Sequence, residues 1–333
     1  MSSPPTLRHL LLALPVLILI VALFQPSLTL TRVKELIPFL SKKTTATVHT
    51  TPVIQPASSM ARAPIYFLSH GGPDVQYKTE HPVYPILQAI GNEITQKVKP
   101  KAIVVFSAHW QAEGGNEIHI NNAVDTDLIY DFYGFPPEFY KATFPSKGSP
   151  QLASRIQSLL SAAGIPSKGL KRGLDHGVFS GFNVLFPPRT NPLTVPLVQV
   201  SLFNTEDPHT HYQLGAAVSA LRDDGIVIIC TGMTVHNLRD MRFSYGDPRP
   251  LPYAVSFDNA LKEAVEAPPA VREDTMAAAA ARPDARQAHP WMDHLMPVYI
   301  AAGAAGEDLG KQTWTLQEGS FAWAQYRFGE VPA

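Results

Sequence analysis

Residues 64–73 read PIYFLSHGGP. The run from Pro64 to Leu68 is apolar and includes Ile, Tyr and Phe, which predicts a short buried strand. The two glycines and the proline that follow predict a tight turn with exposed backbone groups. His70 is therefore expected at the carboxyl end of a strand, where open α/β sheets build their ligand sites. A single histidine in this position is equally consistent with an ordinary loop side chain.

The same pattern of an apolar strand followed by a histidine occurs at two further places. Residues 101–108, KAIVVFSA, precede His109, and residues 226–231, IVIICT, precede His236 after a short glycine-led turn. The carboxyl ends of neighbouring parallel strands lie at one edge of a sheet, so the three histidines are expected to share a site. Three separate packing roles would be a less economical explanation.

The spacing of apolar residues between these strands predicts the fold class. In residues 82–97 apolar side chains recur every three or four positions, which indicates one face of a helix. The order strand, helix, strand is the crossover unit of a sheet with parallel neighbours. We therefore predict an α/β fold, with a single domain over residues 62–333 and a central mixed β-sheet flanked by helices on both faces.

The composition excludes several classes of protein. A chain of 333 residues with 45% hydrophobic residues can bury one large core or two small ones. The formal net charge of -1 gives no support for a nucleic-acid partner. The single cysteine, Cys230, cannot form an intrachain disulfide, so a disulfide-built secreted fold is excluded. No sequence pattern indicates the oligomeric state.

Residues 1–61 differ from the rest of the chain. Residues 10–24, LLLALPVLILIVALF, form an apolar run preceded by Arg8, and residues 44–59 have the composition of a flexible tether. Basic residues follow the run, namely Arg32, Lys34, Lys42 and Lys43. This distribution favours a membrane anchor, through residues 7–30, with the domain facing the cytoplasm. A cleaved leader or a mitochondrial presequence is the alternative, which would leave a cytoplasmic or mitochondrial domain.

Four expectations concern local structure. The seven aromatic residues within residues 127–145 predict either the wall of a pocket for a flat ring or a loop that covers the core. The alternation in residues 117–120 predicts that His119 points outward into solvent. Residues 238–250 are expected to form a polar turn region, and residues 318–328 an edge strand.

Two more segments combine histidine with a carboxylate. In residues 173–177, GLDHG, Asp175 is expected to orient His176 and to raise its basicity. Residues 289–294, HPWMDH, contain two histidines and an aspartate just before an apolar helix. Asp293 is expected either to orient a neighbouring histidine or to cap that helix.

Imidazole is the chemical group that these segments share. The sequence has no GxGxxG, phosphate-loop, GxSxG, HExxH or CxxC pattern, so catalysis by a serine nucleophile has no support. Neutral imidazole suits zinc, copper and ferrous iron. Three such ligands would leave open positions for a substrate and a second small molecule. A metal site at the strand ends is therefore expected.

Five motifs occur in order along the chain: SHGGP, SAHW, GLDHG, TVHN and HPWMDHLMP. In this combination the sequence resembles the class III extradiol ring-cleaving dioxygenases, in the branch called DOPA 4,5-dioxygenase-like. The resemblance runs from Ala63 to Phe328. It implies an enzyme that inserts both atoms of O2 into a small aromatic diol, a DOPA-like catechol, with a divalent metal at one end of a mixed α/β sheet.

The resemblance also implies roles for particular histidines. His70 and His109 correspond to two metal ligands, and His294 takes the place of the glutamate that is the third ligand in other class III enzymes. His236 corresponds to an acid–base residue close enough to approach the metal as a fourth ligand, and His176 to a catalytic residue on the substrate and oxygen side. The implied metal is Fe(II), as in active ring-cleaving members, or Zn(II), as found in some members of this branch.

Two other functions are compatible with the same residues. A zinc hydrolase would use a metal-bound hydroxide as its nucleophile, and zinc accepts an all-nitrogen ligand set. A non-catalytic protein would keep the scaffold and bind a metal or a ligand without turnover. The metal that is retained, together with oxygen uptake in the presence of a catechol, distinguishes these alternatives from ring cleavage.

Overall fold

The computed structural model describes residues 62–244 and 246–332. Its strands are numbered along the chain as β1 (Ile65–Ser69), β2 (Ala102–Gln111), β3 (Ile118–Asn121), β4 (Ser167–Leu170), β5 (Leu197–Leu202), β6 (Ile226–Gly232), β7 (Val235–His236), β8 (Gly310–Trp314), β9 (Gln317–Glu318), β10 (Phe321–Ala322) and β11 (Gln325–Phe328). Its α-helices are α1 (Val83–Asn92), α2 (Pro150–Ala162), α3 (His176–Leu185), α4 (Pro208–Val218), α5 (Leu238–Ser244), α6 (Pro252–Val265), α7 (Pro269–Ala280), α8 (Ala285–Ala288) and α9 (Met296–Ala305). A π-helical segment, Glu93–Val98, continues α1.

Eight of these strands form one mixed sheet in the order β4-β3-β5-β2-β6-β1-β11-β8. β2 is parallel to β5 and β6, and β1 is parallel to β6, whereas β11 is antiparallel to β1. Ser69 at the end of β1 lies opposite Gly232 of β6, and Ser107 of β2 lies opposite Thr231. The carboxyl-terminal parts of three neighbouring strands therefore meet at one edge of the sheet.

Alternate residues of the central strands pack against helices on opposite faces of the sheet. In β1, Phe67 belongs to a core formed with α2, α4, α6 and α9, whereas Tyr66 and Leu68 belong to a second core formed with α1 and α3. A period of two with both faces buried is typical of a sheet that carries helices on each side. The prediction of a single α/β domain with a central mixed sheet is confirmed.

Three of the local predictions are wrong. β11 lies between β1 and β8 rather than at an edge, because β8 pairs with its outer side. Residues 238–244 form α5 instead of a polar turn, since the Asn237 side-chain oxygen accepts the N–H groups of the helix start at 2.9 and 3.1 Å. His119 is buried, and its ring Nε2 lies 2.8 Å from a carboxylate oxygen of Glu117, which satisfies it without solvent.

The predicted N-terminal segment, residues 1–61, lies outside the described residues. Within the described part of the chain, no helix combines the length and the apolar character needed to cross a membrane. The anchor through residues 7–30, the tether and the cellular location of the domain therefore stay predictions.

Candidate metal centre

His70 lies directly after β1, at the edge of the sheet where the central strands end. Its backbone N–H donates to the Gly232 carbonyl at 3.1 Å, which extends the pairing of β1 with β6 by one residue. Gly71 follows with φ +65°, and a Cβ atom there would lie 2.3 Å from the Trp323 ring. Only glycine fits this turn, and the turn leaves the His70 side chain buried.

His109 and His294 reach the same edge from other elements. β2 extends to Gln111, so His109 lies within the strand rather than after it. His294 precedes α9, and its carbonyl accepts the Met233 N–H at 2.9 Å. A Cβ atom on Gly232 would lie 2.2 Å from that carbonyl oxygen, so a glycine at the end of β6 permits this close approach.

The imidazoles of these three residues converge. One ring nitrogen from each of His70, His109 and His294 lies within 4.8 Å of the other two. The ring centroids are 4.9 to 5.4 Å apart, and the Nε2 atoms of His109 and His294 are separated by 3.1 Å. The structure thus brings together three of the four histidines predicted as metal ligands.

Hydrogen bonds fix the tautomers of two of these rings. The Nδ1–H of His70 donates to the Gly71 carbonyl at 2.6 Å, and the Nδ1 of His109 lies 2.9 Å from a carboxylate oxygen of Asp131, which can only accept a hydrogen bond. Each Nε2 then carries a lone pair, which is the form of imidazole that binds a metal. The buried Nε2 of His70 has no hydrogen-bond partner among the described residues. This donor set, completed by His294, fits a divalent metal ion.

His176 lies beside this group as the first residue of α3. Its ring centroid is 4.0 Å from that of His109, and its Nδ1 and backbone nitrogen each lie 2.9 Å from Asp131 Oδ1. His109, Asp131 and His176 form a second group of convergent ligand-type atoms. Sequence reasoning missed Asp131, because no pattern connects it to a histidine 45 positions away.

Asp175 does not orient the His176 ring, although its position next to His176 predicts that role. Its buried carboxylate instead accepts hydrogen bonds at 2.7, 2.9 and 2.5 Å from Ser107, Arg172 and Gln199. The carboxylate that contacts the His176 ring is Asp131. Burial lowers the pKa of His176 and outweighs the charges of Asp131 and Asp175, which both act to raise it. Adjacent side chains at a helix start point in different directions, so a neighbour in sequence is not a neighbour of the ring.

His236 approaches the group from the side of His294. The two rings are stacked, with centroids 3.6 Å apart and an angle of 11° between their planes. A stacked ring presents its face to its neighbour, and His236 belongs to neither group of convergent ligand atoms. The structure therefore places His236 against a predicted ligand, and its action as a fourth ligand stays a prediction.

Asp293 contacts the adjacent His294 rather than the helix that follows. Its Oδ1 accepts the His294 backbone N–H at 2.8 Å, and it lies 3.1 Å from the ring Nδ1 without the alignment of a hydrogen bond. The first turn of α9 has no side-chain cap. Of the two roles considered for Asp293, the structure places it next to the histidine.

Comparison with known proteins identifies the family. The family described as the catalytic LigB subunit of aromatic ring-opening dioxygenase matches residues 57–329. The chain belongs to this family. It is therefore a metal-dependent extradiol ring-cleaving dioxygenase, and the resemblance to the class III enzymes is confirmed. The hydrolase and the non-catalytic alternatives gain no support from this match.

Individual relatives of the dioxygenase extend over most of the chain. A 4,5-DOPA dioxygenase extradiol from Beta vulgaris is 34% identical over 275 residues, which cover 79% of this chain and 95% of the relative. A 4,5-DOPA dioxygenase extradiol-like protein from Schizosaccharomyces pombe is 33% identical over 264 residues, with 74% and 86% covered. A crystal structure of an uncharacterized protein from Escherichia coli K12 has a TM-score of 0.65 at 27% identity, covering 80% of this chain and all of that one.

Burial sets the charge of the dioxygenase's site histidines. It lowers the pKa values of His70, His236 and His294 well below the ordinary value, and the neighbouring imidazoles lower them further. Burial also acts to lower the pKa of His109, but the carboxylates of Asp131, Asp175 and Asp293 together more than offset it, so that pKa is raised. Burial acts to raise the pKa of Asp131, yet the two histidine hydrogen bonds hold it below its usual range. At neutral pH the first three imidazoles are uncharged and Asp131 is ionised.

The aromatic segment of residues 127–145 covers the core in part, whereas its role as the wall of a pocket for a flat ring stays a prediction. The Phe132 ring centroid lies 5.5 Å from that of His176, and Phe144 is buried in the core on the same face of the sheet. Tyr133, in contrast, is 92% exposed. Phe132 is therefore an aromatic residue in position to line the site next to a predicted catalytic histidine.

The buried His289, in the segment before α9, is expected to make the stability of the fold depend on pH. Its ring is fully buried, its Nε2 lies 2.9 Å from the Thr234 carbonyl oxygen, and burial lowers its pKa from 6.5 to about 4. The unfolded chain binds this proton near the ordinary pKa. Above the ordinary pKa of 6.5, His289 is neutral in both the folded and the unfolded chain, so its contribution to the free energy of unfolding is fully present. It is lost as the pH falls towards the folded-state pKa, by about 3 kcal/mol in total.

His289→Gln is the matched variant for this prediction, because its amide keeps a donor for the Thr234 carbonyl and does not titrate. We expect urea unfolding between about pH 7.5 and about pH 5 to show a shallower loss of stability for the variant than for the wild type. An identical loss in both proteins would contradict the lowered pKa of His289.

Proposed function

We propose that this dioxygenase cleaves the ring of a DOPA-like catechol beside its two hydroxyl groups, with Fe(II) held by His70, His109 and His294. The observation that carries the proposal is the convergence of three imidazole nitrogens within 4.8 Å at the strand ends. Imidazole ligands suit ferrous iron, and three of them leave positions open for two reactants. The relatives named 4,5-DOPA dioxygenase support the choice of substrate.

The ion would supply the coordination that brings a diol and O2 together in one orientation. The protein holds the three ligand rings in place through separate elements: the turn after β1, the strand β2 and the segment before α9. Burial keeps the His70 and His294 rings neutral, so their lone pairs are available without the loss of a proton near pH 7. The Phe132 ring, next to His176, provides an apolar contact for a flat substrate ring.

His176 and His236 handle protons in the proposed mechanism. His236 takes a proton from a substrate hydroxyl, since burial lowers its pKa and leaves it a neutral base at pH 7. The Nδ1–H of His176 donates to Asp131, so its Nε2 is the nitrogen that exchanges a proton with the substrate oxygens. The histidine that returns a proton as the ring opens, His176 or His236, is one that has first taken a proton from a substrate hydroxyl, so no proton is gained or lost.

Oxygen uptake by the metal-loaded chain tests the proposed function. The full chain, purified without oxygen and loaded with Fe(II), is expected to consume O2 and DOPA in equal amounts and to form a yellow ring-opened product. The chain loaded with Zn(II) is expected to consume no O2. Catechols that lack the amino-acid side chain report how much of the DOPA structure is required. Tight Zn(II) binding, together with no O2 uptake by the Fe(II)-loaded chain in the presence of any catechol, would contradict the proposal and favour the hydrolase or binding alternatives.

A further inference from the structure

We propose that Asp131 is a positioning residue that sets the orientation and the tautomer of two site histidines at once, His109 and His176. The proposal rests on the proposed function, in which His109 is a metal ligand and His176 transfers a proton. One carboxylate would then link the metal-binding side of the site to its proton-transfer side.

Each oxygen of Asp131 faces a different imidazole. Oδ2 lies 2.9 Å from His109 Nδ1, and Oδ1 lies 2.9 Å from both His176 Nδ1 and the His176 backbone nitrogen. A carboxylate only accepts hydrogen bonds, so both Nδ1 atoms must carry the proton and both Nε2 atoms carry a lone pair. An amide of the same shape has a single acceptor oxygen, so it satisfies one ring and turns a donor towards the other.

The start of helix α3 also stabilises the ionised form of the Asp131 carboxylate. The helix begins at His176, and the preceding Asp175 makes no side-chain cap because other residues use its carboxylate. Asp131 supplies the missing acceptor for the first N–H of the helix. The positive end of the helix dipole stabilises a negative charge at that point. The helix start and the two rings therefore share one carboxylate.

Backbone pairing fixes where Asp131 stands relative to His176. The Leu174 N–H donates to the Asp127 carbonyl, and the Ile129 N–H donates to the Leu174 carbonyl, each at 2.8 Å. Leu174 precedes His176 by two residues and Ile129 precedes Asp131 by two residues. This isolated parallel bridge, between Leu128 and Leu174, holds the two segments side by side. It therefore brings the Asp131 carboxylate to the His176 imidazole, although the two residues are distant in sequence.

A second metal ion is the competing explanation for the same contacts. His109, Asp131 and His176 offer three ligand-type atoms that converge. In the structure, however, each nitrogen is paired with one carboxylate oxygen at hydrogen-bond distance, as shared protons require. The number of ions bound per chain separates the two explanations.

Substitution of Asp131 in the full chain, with Co(II) as the probe ion, tests the proposal. Asp131→Ala is expected to weaken Co(II) binding by about 10- to 100-fold, to change the visible spectrum of the Co(II) protein and to lower kcat more than it raises KM. Asp131→Asn is expected to fall between Asp131→Ala and the wild type, and Asp131→Glu to restore part of both properties. Asp127→Asn, an exposed carboxylate on the same segment, is expected to match the wild type.

Each outcome of this experiment decides the question. The positioning role would be overturned if Asp131→Ala and Asp131→Asn kept the wild-type Co(II) affinity, spectrum and kcat. If Asp131→Ala does not fold, Asp131→Asn, whose side chain has the same shape as aspartate, is used alone. Two Co(II) ions per wild-type chain, reduced to one in the variants, would overturn it too, since Asp131 would then be a ligand. The Co(II) measurements need no turnover, so a chain that cleaves no catechol would refute the proposed function without affecting this test.

Discussion

Replacing His70 by alanine is expected to abolish stoichiometric metal binding and leave the fold intact. The His70 Nε2 is buried without a hydrogen-bond partner among the described residues, and its Nδ1 hydrogen-bonds only to the adjacent Gly71 carbonyl. The substitution therefore removes few hydrogen bonds from the metal-free chain and costs it little stability. If a binding free energy of about 12 kcal/mol is shared by three ligands, the loss of one costs roughly 4 kcal/mol, or about a thousandfold in affinity. Metal analysis after dialysis, with circular dichroism of the same samples, measures both effects.

His209→Ala is the matched control for this prediction. The His209 ring is about half exposed and pairs with Glu273, away from the convergent imidazoles. We expect the control to retain the wild-type metal content and catechol-dependent O2 uptake, and His109→Ala to behave like His70→Ala. Stoichiometric metal in His70→Ala would remove His70 from the proposed ligand set.

Replacing Arg272 by methionine is expected to lower the free energy of unfolding by about 4 kcal/mol. The Arg272 side chain, from α7, is fully buried and donates at 3.2, 2.6 and 2.7 Å to the carbonyls of Ala302, Gly306 and Asp308. These carbonyls lie at the end of α9 and just beyond it, where the negative end of the helix dipole balances the guanidinium charge. Methionine fills much of the volume but leaves the buried Ala302 carbonyl, and the less buried carbonyls of Gly306 and Asp308, without the Arg272 donor.

Arg249→Met is the control, because the Arg249 side chain is 86% exposed and its ion pair with Asp247 is on the surface. A change of less than about 0.5 kcal/mol is expected there. Urea unfolding of both variants, at one pH and one metal concentration, gives the comparison. Equal midpoints for Arg272→Met and the wild type would show that the three carbonyls find other donors and that Arg272 is not what stabilises the end of α9.

The strands that build the site could be predicted because each depends on residues close together in the chain. The apolar runs before His70, His109 and His236 bury both faces of a strand, and two glycines at the ends of these runs, Gly71 and Gly232, permit close approaches that a Cβ atom would block. Such signals act over a few residues. The parallel pairing of the central strands also followed from the order of strands and helices, because a crossover helix places its two strands in parallel.

Predictions that depended on sequence neighbours failed in the same region. Asp175 adjoins His176 in the chain, but its carboxylate is held by Ser107, Arg172 and Gln199. The carboxylate that reaches the imidazole is Asp131, on a segment that is noticeable in the sequence for its aromatic residues and not for its acid. The C-terminal strand lies inside the sheet for a similar reason, since its outer partner β8 has no strong strand pattern of its own.

Residue type and order alone singled out five histidines that lie together in the folded chain, and the family resemblance that the comparisons bear out. Which nitrogen of each ring is free, which carboxylate orients it and which histidine is stacked rather than convergent depended on the folded chain. Hydrogen bonds and ring contacts are decided by distances of a few ångströms between segments that are far apart in sequence. Only the packing of the sheet and its helices sets those distances.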